Sequence, residues 1–259
     1  MDVRQARKIR LGRLRAILSG ALLVCAAVAE AEDFPQTLKG DIGLGSYYIH
    51  SYIRSKRDEV SVLPYADFEY GRVFARVDTF GIKTLPMGYG HLELVGRVSM
   101  DGFNTDTPAL KGLGNRETSL PLGIGTLQVT PLGGFMINAF HDVRQSNGEW
   151  LEAIYAGEIE LPQVTLYPLL GMEYQSAEYV RYYYGVSPQE AAASQYALYS
   201  PSGSFNGLFG LIGDIKLSEQ YHLNCYIRRK WLGDAIQQSP IVGQRYMDTG
   251  YLSLSYRFK

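Results

Sequence analysis

Cysteine is nearly absent. The 259 residues hold two, Cys25 and Cys225, and the first falls in a segment read below as a leader. Cys225 alone closes no intramolecular disulfide, so no covalent staple holds this fold. Long apolar runs are scarce too. Residues 16–29 (AILSGALLVCAAVA) form one, and no second run reaches the ~18 residues of a spanning helix. Excess charge of either sign is missing, with 25 Lys and Arg against 26 Asp and Glu. That argues against nucleic acid as a partner. The four histidines, His50, His91, His141 and His222, lie far apart with no H-x-x-x-H or Cys/His cluster. We therefore read them as lumen or rim residues and expect no metal site and no cofactor.

What is present begins with a targeting signature. Arg4, Arg7, Lys8, Arg10, Arg13 and Arg15 precede the apolar stretch, and Ala29-Glu30-Ala31 follows it as an A-x-A cleavage site. This pattern predicts a signal peptide over 1–31 and one domain over 32–259. The leader takes six basic and two acidic residues with it, which leaves the remainder at net −5.

The chain holds 20 Tyr and 28 Gly, and beyond the leader it alternates with period two. Near the end, Leu252, Leu254, Tyr256 and Phe258 alternate with Tyr251, Ser253, Ser255 and Arg257. The same period runs through 73–78, 91–100, 151–161 and 221–228. The opposite face carries Glu69, Arg76, Asp78, Glu93, Arg97, Glu152, Glu158, Glu160, Asp214, Lys216 and Arg228. Such charges are costly in a dry sandwich core. They suit a barrel whose polar face lines a lumen and whose apolar face meets lipid. The sequence thus predicts an all-β, antiparallel transmembrane β-barrel in contact with outer-membrane lipid. A soluble sandwich is the alternative.

Turn signals set the strand count. Short turns fall at Tyr70-Gly71, 130–134, 161–163 and 218–220, and long polar loops at 53–59, 101–117, 144–149, 177–204 and 232–245. Short turns belong on the periplasmic side, and an even strand number keeps both termini there. Residues 73–100 must then hold three strands, with an outer turn near Thr79 and an inner one at Pro86-Met87-Gly88. The count is twelve, or ten if the short strands there do not form. In the longest outer loop, Ser187 and Glu190 frame a capping box. One short helix is expected after Pro188, held at the barrel mouth by Tyr182, Tyr183 and Tyr184.

The stretch YYYGVSPQEAAAS (182–194), with its core Tyr183, Tyr184, Gly185, Val186, Ser187 and Pro188, resembles the signature loop of the MipA/OmpV family of Gram-negative outer-membrane proteins. LPYADFEYGRVFA (63–75), LKGLGNRETSLPLGIG (110–125), NAFHD (138–142), LYPLLGMEY (166–174) and LGDAIQQSPIV (232–242) resemble the family in the same order. The resemblance covers about 40–258. It implies an outer-membrane barrel without established catalytic residues. It also implies, for some members, a scaffold that binds a periplasmic lytic transglycosylase and a murein synthase, and for others a porin-like protein or adhesin. Leu254, Tyr256 and Phe258 match the terminal assembly signal of such barrels, although Lys259 follows the aromatic residue.

Three functions follow as expectations. The first is a non-enzymatic scaffold linking the outer membrane to murein turnover. The second is a narrow channel for small polar solutes, in which the lumen charges set selectivity. Mutual pairing of those charges in a filled lumen is the competing expectation. The third is a lipid-active hydrolase using His141-Asp142 or His222, for which no serine motif is present. The 177–204 loop is expected either to plug the mouth or to bind a partner.

Overall fold

The computed structural model describes residues 34–258. The predicted leader and Lys259 lie outside them. Thirteen strand segments form one sheet: β1 (Lys39–Ile49), β2 (Glu59–Tyr70), β3 (Val73–Arg76), β4 (Thr79–Met87), β5 (Gly90–Arg97), β6 (Pro121–Thr130), β7 (Gly133–Asp142), β8 (Glu149–Ala156), β9 (Ile159–Glu160), β10 (Val164–Gln175), β11 (Ser204–Lys216), β12 (Tyr221–Trp231) and β13 (Tyr246–Phe258). β8 and β9 pair with β10 in one continuous register, Ala156 with Leu169 and Glu160 with Thr165. They are one stave interrupted at Gly157-Glu158, so the wall has twelve staves. Every pairing is antiparallel, and β1 on β13 and β10 on β11 complete the ring.

Closure is what this chain needs if its outer face meets lipid, where an open edge leaves backbone groups without partners. The face assignment follows the alternation. Leu252 and Leu254 are about half exposed, while Ser253 and Ser255 between them are buried inside. The apolar outer band carries exposed Tyr70, Tyr89, Tyr221, Tyr256 and Phe258 near the short turns. Tyr48, Phe205 and Trp231 mark its other border. Two aromatic girdles around an apolar band are the mark of a membrane-spanning barrel. Among the described residues no helix is long and apolar enough to cross a membrane.

The staves tilt. One ladder row runs from Phe258 to Gly40, Phe68, Ala75, Phe80, Gly96, Leu122, His141 and Glu149. It starts at the inner end of β13 and finishes at the outer ends of β7 and β8. Such stagger is what closing a barrel requires.

Two local expectations need correction. The three strands within 73–100 exist, but the turns move by one or two residues, to Val77-Asp78 and Gly88-Tyr89. The long outer loop holds two helices, α1 (Ala177–Tyr184) and α2 (Pro188–Ala193), not one. A further short helix, α3 (Asp234–Gln237), lies in the last outer loop. The tyrosine triplet is itself helical, because Ser176 caps α1 by accepting the Tyr179 amide. Tyr179, Val180, Tyr183 and Tyr184 then share one face at i, i+4 spacing.

Val77 turns the β3–β4 hairpin at φ 58°, a conformation that β-branched residues rarely adopt. Its amide donates to the Ala66 carbonyl at 2.8 Å, which holds the strained turn in place. Val77→Gly is expected to stabilise the barrel by about 1 kcal/mol, read as a higher urea midpoint of the refolded protein. An unchanged or lower midpoint would show that the turn is not strained.

Candidate functional site in the lumen

The lumen is built in two layers. The upper layer is the folded outer loops. α1 drops its tyrosine face into the mouth, and Tyr179, Tyr183 and Tyr184 are fully buried. The Tyr179 hydroxyl donates to Asp101 Oδ2 at 2.8 Å, and the Tyr183 hydroxyl to the Glu117 carbonyl at 3.1 Å. Ser239 donates to the Tyr184 carbonyl at 2.6 Å. Burial pushes the Tyr52, Tyr179 and Tyr184 phenols well above their ordinary pKa, so they stay neutral. Leu110, Leu232, Ile236 and Ile241 complete the apolar packing. Gly148 sets the depth of α1, since a Cβ there would lie 2.4 Å from the Tyr179 amide nitrogen.

The signature loop is the stapled neck of this plug. Gly185 caps α1, and Val186 bridges to Tyr199. Ser187 and Glu190 form the expected capping box ahead of Pro188. Glu190 also accepts the Gly114 amide at 2.9 Å and pairs with Arg116 at 2.8 Å. Burial opposes the Glu190 carboxylate, but the Ser187 and Gly114 amides and the Arg116 charge outweigh it and hold its pKa below the usual value.

Beneath α1 lies a belt of paired charges. Arg97 holds Glu152 through two bonds of 2.5 and 2.6 Å, and Asn138 donates to the same carboxylate at 2.7 Å. The Arg97 guanidinium is flanked by Phe140 and Trp150, each ring 5.0 Å away. Arg76 forks onto Glu93 at 2.7 and 2.8 Å. Lys230 reaches Glu173 at 3.1 Å and Asp101 at 3.8 Å. Nearer the periplasmic end, Arg257 clamps Asp41 and Asp214, and Asp214 meets His222 at 2.6 Å. Glu69 pairs with Lys83 at 2.7 Å, Lys216 pairs with Glu219, and Glu158 bonds Tyr167. Asp78 approaches Arg97 at 3.7 Å. Glu160 stands exposed beside Ile159 at the inner end of its stave. Arg228 sits at an inward position of β12 and makes no ion pair among the described residues.

Most of the charges that the alternation put on one face stand in ion pairs in the structure; Glu160 and Arg228 make none among the described residues. The sequence-based expectation missed Asn138, Glu173 and Lys230, which lie at inward positions of the same alternation, and Asp101, which lies in the loop after β5. It also missed Tyr179, one turn before the quoted triplet. The remaining histidines are dispersed: His141 pairs loosely with Glu149 at 3.7 Å and His50 with Asp58 at 2.9 Å, both on exposed surface. No serine hydroxyl bonds the His222 ring among the described residues. Nor does any group of His, Cys, Asp and Glu among them form a metal site.

Two predictions follow. Glu152→Ala leaves Arg97 buried without its carboxylate and is expected to cost about 3–5 kcal/mol. The Arg97→Met/Glu152→Leu pair is expected to recover most of it, both read by urea unfolding with Trp150 fluorescence as the local reporter. Equal losses in the two variants would contradict the pairing argument. Because the Glu190 pKa is depressed, its contribution is present above the ordinary Glu pKa and is lost as pH falls through the depressed value. Limited proteolysis of the outer loops should accelerate between pH 5 and about pH 3. Glu190→Gln should be cleaved at the faster rate already at pH 7, with little further pH dependence.

Known proteins bear on this architecture. The family model described as MltA-interacting protein MipA matches residues 42–258. The outer membrane protein YiaT of Escherichia coli (strain K12) is 23% identical over 221 residues, covering 84% of this chain and 90% of that one. Outer membrane protein OmpV of Vibrio cholerae is 28% identical over 137 residues, about half of each chain at 52%. Among solved structures, the outer membrane channel DcaP of Acinetobacter baumannii aligns over 86% of this chain and 96% of its own, at 9% identity and a TM-score of 0.28. The family match spans nearly all of the barrel and its loops, and the sequence relatives are named for the outer membrane. The chain is an outer-membrane β-barrel and belongs to the family whose model is described as MltA-interacting protein MipA.

Proposed function

We propose that this protein is a non-enzymatic anchor that presents its periplasmic face to a lytic transglycosylase of the MltA type, and through it to a murein synthase. The observation that carries the reading is the closed lumen. α1 fills the outer mouth and the charges below it pair with one another, so the wall encloses little room for solute passage. A channel for small polar solutes receives correspondingly less support.

The inner face supports docking. Residues 34–38 do not hang free but cross the inner rim. The Pro35 carbonyl accepts the Gly71 amide at 2.7 Å, and the Phe34 ring lies 4.4 Å from Arg72 and 5.2 Å from His91. Beside them a groove of about 360 Å³ is lined by Thr37, Leu38, Gln220, Tyr256, Arg257 and Phe258. The rim, this strap and the short turns are the surfaces a periplasmic partner would meet, and a standard interface takes ~800 Å² from each partner.

The test is capture of a purified MltA-type transglycosylase on the folded, immobilised barrel. Binding is expected, and Phe34→Ala, which frees the strap from the rim, should weaken it at least tenfold. Failure of the wild-type barrel to retain the enzyme would remove the reading.

A further inference from the structure

The wall has a gap. β3 is four residues long and covers about 13 Å, roughly half of the ~25 Å apolar band. Its hairpin ends at Val77-Asp78, while β2 continues past it from Ala66 to Glu59. In an antiparallel ladder, successive residues direct their N–H and C=O to opposite edges. Ala66 and Phe68 face β3, so Val60, Val62 and Pro64 face the gap. Pro64 has no N–H, and the polar groups of the other two make no hydrogen bond on that edge among the described residues.

The gap is framed elsewhere. β5 ends at Arg97, and the chain then rises to the β1–β2 loop, where the Tyr52 hydroxyl meets the Asp101 carbonyl at 3.4 Å. Met100 and Phe103 share a small cleft there with Lys56 and Arg57. The opening lies at lipid depth. It runs inward from the outer border of the apolar band: Val60 pairs with the border residue Tyr48, and Pro64 with the exposed Leu44 inside the band. Val60 is 68% and Val62 73% exposed.

Behind the gap the lumen is aromatic. The Tyr251 ring lies 5.3 Å from Tyr47, 5.6 Å from Tyr65 and 5.3 Å from Tyr226. Arg228 stands over Tyr226 at 5.9 Å. Its Nε is buried without a hydrogen-bond partner, whereas Arg76, Arg97 and Lys230 each hold a carboxylate. The charges facing Arg228 are Asp78, Glu173 and Arg97. Glu173 is taken by Lys230 and Arg97 by Glu152, and Asp78 acts on it only through space.

We propose that this gap is a lateral window through which an amphiphile of the bilayer, one acyl chain with an anionic head, enters the lumen, its head bound by Arg228 and its chain lying between the β2 edge and the β3–β4 turn. A guanidinium whose Nε has no partner selects a phosphate or carboxylate. An opening at hydrocarbon depth selects a ligand that arrives from lipid rather than from water. The chain covers an edge that lipid alone leaves unsatisfied only in part, since Pro64 has already removed one of its donors.

The test is native mass spectrometry of the folded barrel in dodecyl maltoside, titrated with dodecyl phosphate. One retained dodecyl phosphate per barrel is expected, with no competition from inorganic phosphate at equal concentration. Arg228→Gln should weaken retention at least tenfold. Leu63→Trp, which fills the lumen side of the window and leaves Arg228 intact, should do the same. A heat-modifiable gel shift confirms that each variant is folded. Undiminished retention in both variants, effective competition by inorganic phosphate, or a dimer mass from pairing of two β2 edges would each overturn the proposal.

Discussion

Lipid offers no hydrogen bonds, and every large feature of this molecule answers that fact. The terminal strands β1 and β13 must pair with each other, which fixes an even ring and tilts every stave to bring the registers together. The same rule explains why Gly157-Glu158 can break a stave without breaking the wall. The Gly157 amide still reaches the Pro168 carbonyl at 2.9 Å, so the ladder with β10 continues. The upper half of β2 departs from the rule, beside a strained turn and a proline.

Inside the wall a second form of the same constraint operates. A charge removed from water needs a partner. Arg97, Arg76 and Lys230 have theirs, and Tyr179 and Tyr183 of α1 place their hydroxyls on Asp101, Ser99, Ser119 and the Glu117 carbonyl. The plug is therefore part of the fold rather than a loop lying over it. Its depth depends on contacts as small as the missing side chain of Gly148. Arg228 stands out against this background because its neighbours are already engaged elsewhere.

Much of this was legible before any coordinates. Period two in Leu252–Phe258 fixed the lipid face, and the parity of long and short turns gave twelve staves even where β3 looked too short to exist. The capping box at Ser187 and Glu190 read correctly because it is a local interaction. What did not read was long-range. Tyr182–Tyr184 looked like anchors for a helix because the cap that makes them helical, Ser176, lies at the end of a strand. Lumen charges could be assigned to a face but not to partners, since Arg97 and Glu152 are 55 residues apart and pairing depends on stagger around the ring. The window was invisible, because a missing partner on one edge leaves no mark on the strand's own alternation.

The central claim is that the barrel is sealed from end to end. Single-channel recording of the refolded protein in a planar bilayer, after a gel shift shows that it has folded, addresses this most directly. The account predicts no reproducible unitary steps from the wild-type protein. Regular steps of uniform size from properly folded barrels would contradict it, and would mean that α1 and the paired belt leave a continuous aqueous path.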